Sequence, residues 1–122
     1  MLAKAYKKWG RKGDIALVAL NDENKEIIGV TWVRLFTKNN PSYGFIDDKT
    51  PDMAIAVKAE FRGKGIGTQL LQELFNTVKE SGFKGISLSV DPRNKVLRLY
   101  KGLGFKIYKQ ERVDNHIYLL NL

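Results

Sequence analysis

The sequence predicts an α/β fold built on a mixed α+β sheet: an antiparallel N-terminal hairpin, a central parallel strand–helix–strand unit and a closing β-hairpin. Three observations favour this class. Short apolar runs rich in β-branched residues occur near both ends of the chain, one long amphipathic segment begins at Ile66, and a glycine-rich turn joins it to the apolar run 53–57. The 122 residues fit one domain, residues 1–122, with one hydrophobic core.

The N-terminal part predicts a helix, a hairpin and a loop. The first ten residues predict a short amphipathic helix ending at Gly10, because apolar side chains recur at helical spacing. These side chains are Leu2, Ala5, Tyr6 and Trp9. The apolar runs 15–20 and 27–36 predict two antiparallel strands joined by the polar turn 21–25. Residues 37–51, rich in Asn, Pro, Gly and Asp, predict a loop.

The remaining part predicts a parallel crossover and a second hairpin. Alternating apolar residues indicate strands, and the apolar stripe of the intervening helix is wide enough to pack on a sheet. A crossover between two parallel strands is expected to be right-handed. In order, the predicted elements are a strand at 53–57, a helix from Ile66 ended by Gly82, a strand at 86–90, a helix at about 94–101, and strands at 105–109 and 116–120.

The composition excludes several kinds of site. The chain has no Cys and a single His, His116, so we expect no disulfide, no thiol nucleophile and no metal site. No apolar run approaches the ~20 residues that span a bilayer, and the N-terminus lacks the apolar centre of a signal peptide. We therefore expect a cytoplasmic protein without membrane attachment.

The charge balance favours anionic ligands. Lys and Arg number 21 against 13 Asp and Glu, a net charge of +8, which attracts polyanions and phosphorylated ligands. The basic residues are neither collected on one helix nor interleaved with aromatic residues, as nucleic-acid binding requires. The sequence thus disfavours a nucleic-acid partner.

A glycine-rich turn lies between the predicted strand 53–57 and the long helix. Its sequence is Arg62-Gly63-Lys64-Gly65-Ile66-Gly67-Thr68. Such a turn brings backbone N–H groups and the positive end of a helix dipole to one spot, which suits a phosphate or pyrophosphate. A P-loop is excluded because Thr68 stands where its lysine belongs. The spacing of Gly63, Gly65 and Gly67 matches the dinucleotide fingerprint only weakly.

Two motifs resemble a known family. Arg62, Gly65 and Gly67 match [QR]-x-x-G-x-[GA], which resembles the acetyl-CoA pyrophosphate loop of the GCN5-related N-acetyltransferase (GNAT) superfamily. A second block is similar to that family in residues 91–105, where an Asn precedes a Leu-Tyr pair and a Gly-Phe opens the next strand. The motifs occur in the family's order, and the resemblance covers residues 53–105.

The resemblance implies a GNAT-like (acyl-CoA N-acyltransferase) fold, with two parallel strands splayed at their carboxyl ends. It also implies transfer of an acetyl group from the donor substrate acetyl-CoA to a primary amine, by direct attack in a ternary complex. The first strand would pair with the pantetheine arm, and the turn would bind the pyrophosphate. The residues implied in acetyl-CoA binding are Ile55, Ala56, Val57, Arg62, Gly63, Lys64, Gly65, Ile66, Gly67, Thr68, Asn94 and Arg98.

The same resemblance suggests catalytic residues. Tyr100 matches the tyrosine that protonates the departing coenzyme A thiolate, although an aromatic residue packed on the sheet is the alternative. Asp52 is a candidate general base; Glu60, a water relay and His116 stay open as alternatives. Asn94 matches a pantetheine contact, and an ordinary helix N-cap explains it equally well.

The N-terminus departs from the family pattern. Members normally carry another strand and a helix pair ahead of the first hairpin, and here only residues 1–14 precede it. We therefore expect an abbreviated N-terminus and an acceptor groove that is open or completed by a second subunit. A homodimer could use Tyr6 and Trp9 as its apolar contact, and core packing of the two side chains is the alternative. Other functions left open are a non-catalytic acyl-CoA- or anion-binding sensor and, less favoured, a small basic nucleic-acid-binding domain.

Overall fold

The computed structural model describes residues 14–122 in full and the backbone of residues 3–7. Its elements are β1 (Ala3–Lys7), β2 (Ile15–Leu20), β3 (Ile27–Arg34), β4 (Asp52–Val57), α1 (Ile66–Glu80), β5 (Gly85–Val90), α2 (Leu97–Gly102), β6 (Lys106–Arg112) and β7 (Asn115–Asn121). The strands form one seven-stranded mixed sheet in the order β1-β2-β3-β4-β5-β7-β6. This arrangement confirms the predicted fold class.

The N-terminal segment is a strand, so the predicted helix is wrong. β1 pairs antiparallel with β2, with Ala3 opposite Leu20 and Lys7 opposite Ala16. A helix this short is marginal by itself, and the sheet offers the same backbone a full hydrogen-bond ladder, so pairing overrides the local apolar spacing. Gly10, Trp9 and the side chain of Tyr6 lie outside the described residues.

The other predicted elements are present, with shifted ends. α2 begins at Leu97, later than predicted, because turns occupy the preceding residues: the Arg93 N–H donates to the Asp91 carboxylate at 2.9 Å, and the Val96 N–H donates to Asn94 Oδ1 at 3.0 Å. β6 extends to Arg112 and is exposed along its whole length at the edge of the sheet. Within the described residues, no helix is long and apolar enough to cross a membrane.

α1 packs on one face of the sheet. Its buried residues are Ile66, Leu70, Leu71, Leu74 and Val78. α1 approaches Gly29 of β3 closely: an added Cβ there would lie 3.0 Å from Leu70 Cδ1. The Phe105 ring contacts Phe75 of α1 and Tyr100 of α2 edge-on, with centroids 5.8 and 5.9 Å apart. The Phe105 ring therefore bridges α1 and α2.

The two parallel strands separate almost at once. β3 and β4 pair along the whole of β4, from Gly29 opposite Val57 to Arg34 opposite Asp52. By contrast, β4 and β5 share only the pair Asp52 and Ser87, beside a 2.9 Å hydrogen bond from the Ser87 N–H to the Pro51 carbonyl. Toward their carboxyl ends the strands diverge and leave a gap in the sheet, as the resemblance implied.

Candidate active site

The glycine loop, residues 62–68, presents a row of unpaired N–H groups. Gly63 and Gly65 have φ of +77° and +83°, a left-handed region in which a side chain is disfavoured. The loop thus turns directly into α1, with Gly65 as the N-cap. The N–H groups of residues 63–68 donate to no acceptor within the described part of the chain. They are available to an anion at the positive end of the helix.

A cavity of about 820 Å³ opens in front of this loop; we call it the loop cavity. It lies between the gap in the sheet, the start of α1 and the start of α2. Its lining residues are Ile55, Ala56, Val57, Phe61, Arg62, Gly63, Gly65, Gly67, Thr68, Asn94, Lys95, Val96, Leu99 and Tyr100. Most of the residues predicted to bind acetyl-CoA are therefore brought together around one space.

Gly67 faces the floor of the loop cavity. A Cβ on this residue would lie 3.8 Å from Ile55 Cδ1 and 3.9 Å from Val57 Cγ2. At Gly63 and Gly65, an added Cβ would meet nothing within 4 Å. Backbone conformation therefore requires glycine at 63 and 65, whereas at Gly67 a longer side chain would occupy ligand space.

Arg62 fixes the loop to the end of β4. Its Nε donates a 3.0 Å hydrogen bond to the Val57 carbonyl. The guanidinium lines the loop cavity, so its charge faces the same space as the free N–H groups. Arg62 can therefore both hold the loop in place and attract an anion to it.

Three predicted binding residues do not line the loop cavity. The Ile66 side chain is buried in the core, so only its N–H can serve a ligand. Lys64 places its Nζ 5.4 Å from the centroid of the Phe61 ring, and Arg98 is exposed on α2. Asn94 does line it, but it is not the N-cap of α2, which is Val96.

A second cavity of about 890 Å³ lies on the other side of the gap; we call it the Asp52 cavity. Its lining residues are Trp32, Arg34, Phe36, Pro41, Ser42, Tyr43, Asp52, Met53, Ala54, Ile55, Leu88, Ser89 and Tyr100. Sequence reasoning missed most of this wall. The available signal was the alternation of Trp32, Arg34 and Phe36, which puts these side chains on one face of an extended segment.

Tyr100 lies where the two cavities meet. It lines both of them, as does Ile55, and it is only 8% exposed. Burial raises the pKa of the Tyr100 phenol above its ordinary value of 10. At neutral pH the hydroxyl is therefore protonated and able to donate a proton.

Asp52 is the carboxylate of the second cavity. Burial, the largest effect, raises the pKa of Asp52, while the Ser42 hydroxyl and the N–H groups of Gly44 and Met53 oppose this rise. Ser42 Oγ is buried and makes no hydrogen bond of good geometry within the described residues. Gly44 approaches closely: an added Cβ would lie 3.0 Å from both Asp52 carboxylate oxygens.

The other candidate bases lie elsewhere. Glu60 and His116 line neither cavity. Within residues 14–122, no three or more acidic, histidine or cysteine side chains are grouped so as to bind a metal ion. Of the carboxylates and the histidine considered from the sequence, Asp52 alone reaches the gap.

Solved structures share this architecture. A GNAT-family acetyltransferase from Staphylococcus aureus MU50 is 25% identical with a TM-score of 0.70, covering 90% of this chain and 68% of that one. A phosphinothricin acetyltransferase from Sinorhizobium meliloti, solved in complex with AcCoA, is 26% identical with a TM-score of 0.71, covering 90% and 62%. The PaiA N-acetyltransferase from Thermoplasma acidophilum, in complex with coenzyme A, shares the fold at 22% identity and a TM-score of 0.72, covering 89% and 61%.

The chain thus spans less than two thirds of the length of the last two proteins. A comparison with curated proteins gives no significant match. The model of the Acetyltransferase (GNAT) family matches residues 2–105, which is most of the sequence. Together with the shared fold, this match shows that the chain belongs to the GNAT acetyltransferase family.

Proposed function

We propose that this protein transfers an acetyl group from acetyl-CoA to a primary amine by direct attack in a ternary complex. The observation that carries the proposal is the pair of cavities that meet at Tyr100 and Ile55. One cavity suits a diphosphate and its thioester arm, and the other offers a carboxylate for an amine. Both substrates can therefore be bound at once, with the reacting atoms at the gap between β4 and β5.

The glycine loop would bind the pyrophosphate. Its free N–H groups, the start of α1 and the Arg62 guanidinium supply donors and positive charge. Each hydrogen bond to a charged group contributes about 1.5–3 kcal/mol, so several of them supply much of the ~8 kcal/mol that micromolar affinity requires. Beyond Asp52, the β5-facing edge of β4 has no ladder partner, and it can pair with an extended ligand.

Asp52 would accept the proton that makes the acceptor nucleophilic. An amine with a pKa of about 10 is mostly protonated at neutral pH, so a proton must leave before nitrogen attacks the thioester carbonyl. Asp52 faces the acceptor side of the gap, and its burial makes it a stronger base than an exposed aspartate. The proton passes from nitrogen to Asp52 and then to solvent.

Tyr100 would donate the proton at the other end of the reaction. As the N–C bond forms, the C–S bond breaks, sulfur leaves with the electron pair, and the nitrogen releases its second proton to solvent, which leaves a neutral amide. The Tyr100 hydroxyl protonates this sulfur and later regains a proton from solvent. A phenol near pKa 10 can protonate a thiolate of pKa near 8.5 at a cost of about 2 kcal/mol, and the raised pKa of the buried Tyr100 phenol adds to this cost. Tyr100 would therefore act as the general acid at a cost of at least this size.

An assay of amine-dependent thiol release tests the proposal. With acetyl-CoA and a panel of amines, the wild-type protein should release free coenzyme A only when an amine is present. Tyr100→Phe should lower kcat by about 10²–10⁴ and leave the Kd for coenzyme A nearly unchanged. Tyr118→Phe, a buried tyrosine that lines neither cavity, is the matched control and should keep its turnover.

Other outcomes have defined meanings. Tight binding of acetyl-CoA without amine-dependent thiol release would contradict acetyl transfer and favour the sensor function. Normal turnover in Tyr100→Phe would reduce Tyr100 to a packing role. Failure to bind coenzyme A at all would overturn the assignment of the loop cavity.

A further inference from the structure

The two cavities carry opposite charge. The chain as a whole has a net charge of +8, and the loop cavity follows this balance: its lining residues include Arg62 and Lys95 but no carboxylate. In the Asp52 cavity, the charged side chains are Arg34 and Asp52. The net charge of the Asp52 cavity therefore depends on whether Arg34 is paired with Asp52.

Arg34 is bound by a different carboxylate. It lies directly opposite Asp52 in the register of β3 and β4, yet its guanidinium is directed to Asp14. Arg34 Nε donates to Asp14 Oδ1 at 3.1 Å, and Nη2 donates to Oδ2 at 2.8 Å. This two-point pairing suits a guanidinium and a carboxylate. Asp14 is 1% exposed, so it needs the cation.

The Asp52 cavity is therefore negative where it meets the gap. Asp14 balances Arg34, and Asp52 has no cationic side chain within hydrogen-bond reach among the residues described. A bound ammonium group would supply the missing positive charge. A carboxylate on the ligand would instead be repelled by Asp52, and the Arg34 guanidinium that could pair with it is already bound to Asp14.

The uncharged lining of the Asp52 cavity includes four aromatic residues, Trp32, Phe36, Tyr43 and Tyr100, and we call them the aromatic wall. Trp32 and Phe36 extend from β3 and its continuation, and Tyr43 lies on the facing loop with 76% of its surface exposed. The Asn115 Nδ2 group donates to the Tyr43 carbonyl at 3.2 Å and so ties this loop to the start of β7. Aromatic faces attract cations and cover apolar surface.

From this arrangement we infer that the acceptor is a primary alkylamine with an aromatic or other apolar body and no carboxylate beside the amino group. The inference rests on the proposed acetyl transfer and names its acceptor class. Asp52 holds the amino group, the aromatic wall covers the body, and the Arg34–Asp14 pair disfavours amino acids.

Phenethylamine and L-phenylalanine test the inference, because they differ only by the carboxylate. We expect kcat/KM for phenethylamine to exceed that for L-phenylalanine at least tenfold in the thiol-release assay. Calorimetry in the presence of coenzyme A should likewise show tighter binding of phenethylamine than of L-phenylalanine. A preference for L-phenylalanine, or for 1,5-diaminopentane over phenethylamine, would overturn the inference while leaving acetyl transfer established.

Two variants examine the residues responsible. Trp32→Leu, which keeps apolar volume, should raise KM for phenethylamine at least fivefold and change KM for methylamine much less. Asp14→Asn should release the Arg34 guanidinium and lower the ratio of kcat/KM for phenethylamine to kcat/KM for L-phenylalanine. Thermal unfolding of this variant shows whether the fold is retained. An unchanged KM for phenethylamine in Trp32→Leu would contradict the aromatic wall. Absence of amine-dependent thiol release with every amine would instead contradict the proposed function itself.

Discussion

Single residues in this protein act through backbone geometry as much as through side-chain chemistry. Gly65 allows the turn into α1, Gly67 keeps the floor of the loop cavity open, and Gly44 lets a loop approach the Asp52 carboxylate. None of these glycines carries a reactive group. Each one determines where a reactive group or a ligand can lie.

Gly67→Glu should abolish measurable binding of coenzyme A. The added side chain would extend over Ile55 and Val57 and bring a negative charge to the place proposed for a diphosphate. Calorimetric titration with coenzyme A measures the effect. Gly102→Glu is the matched control, because Gly102 is also helical, has open space around its Cβ position and lies outside both cavities. Equal affinity in the two variants would contradict the site.

Asp91 should titrate with a pKa of about 2, because the Arg93 side chain and N–H bind its carboxylate. Since the folded-state pKa lies below the ordinary aspartate value of 3.8, the stabilisation is complete above pH 3.8 and is lost as the pH falls toward 2. NMR titration of the Asp91 carboxyl measures this value. In Arg93→Gln, the pKa should return toward 3.8; an unchanged low value would exclude Arg93 as the cause.

At the scale of elements, the sequence predicts those helices, strands and turns whose signal lies within the segment itself. The periodicity of α1, the alternation in β5 and the glycine loop predict their elements well, because each signal lies within the segment itself. β1 shows the limit: its apolar spacing fits a helix, and only pairing with β2 makes it a strand. For the same reason the place of Tyr43 in the aromatic wall was missed, since the packing of loop 37–51 against β4 depends on tertiary contacts, whereas Trp32 and Phe36 had a local signal in their alternation.

α1 should supply a large share of the stability through its buried face. Leu74 is fully buried, so Leu74→Ala should lower the free energy of unfolding by about 2–5 kcal/mol. Gln72→Ala, on the exposed side of the same helix, should change it by less than about 0.5 kcal/mol. Urea denaturation compares the two. Similar losses in both variants would mean that helix propensity, and not burial, dominates.

At the scale of the whole molecule, charge differs between the two cavities that meet at Tyr100. The chain carries a net charge of +8, and the loop cavity shares this sign, whereas the other cavity presents the Asp52 carboxylate. A homodimer with a second copy near the gap in the sheet is an expectation of the sequence analysis. That oligomeric state remains a prediction, since its proposed contacts Tyr6 and Trp9 lie outside the described side chains.

The association rate of coenzyme A should fall as salt is added. Long-range attraction between the basic protein and the polyanionic ligand raises the on-rate at low ionic strength, and salt screens it over about 10 Å at 0.1 M. Stopped-flow binding at 0.01 and 0.3 M NaCl should show a decrease of about threefold or more in the association rate. A salt-independent rate would show that local contacts alone govern capture.

The exposed edge formed by β6 has a consequence for behaviour at high concentration. Its outer backbone groups offer a template for strand addition, and Ile107 and Tyr108 expose about half of their surface. Lys106 and Lys109 lie on the same strand, and two register irregularities distort its pairing with β7. A second copy docking there would bring like charges together on a bent template. The fold thereby resists fibril-like growth from its open side.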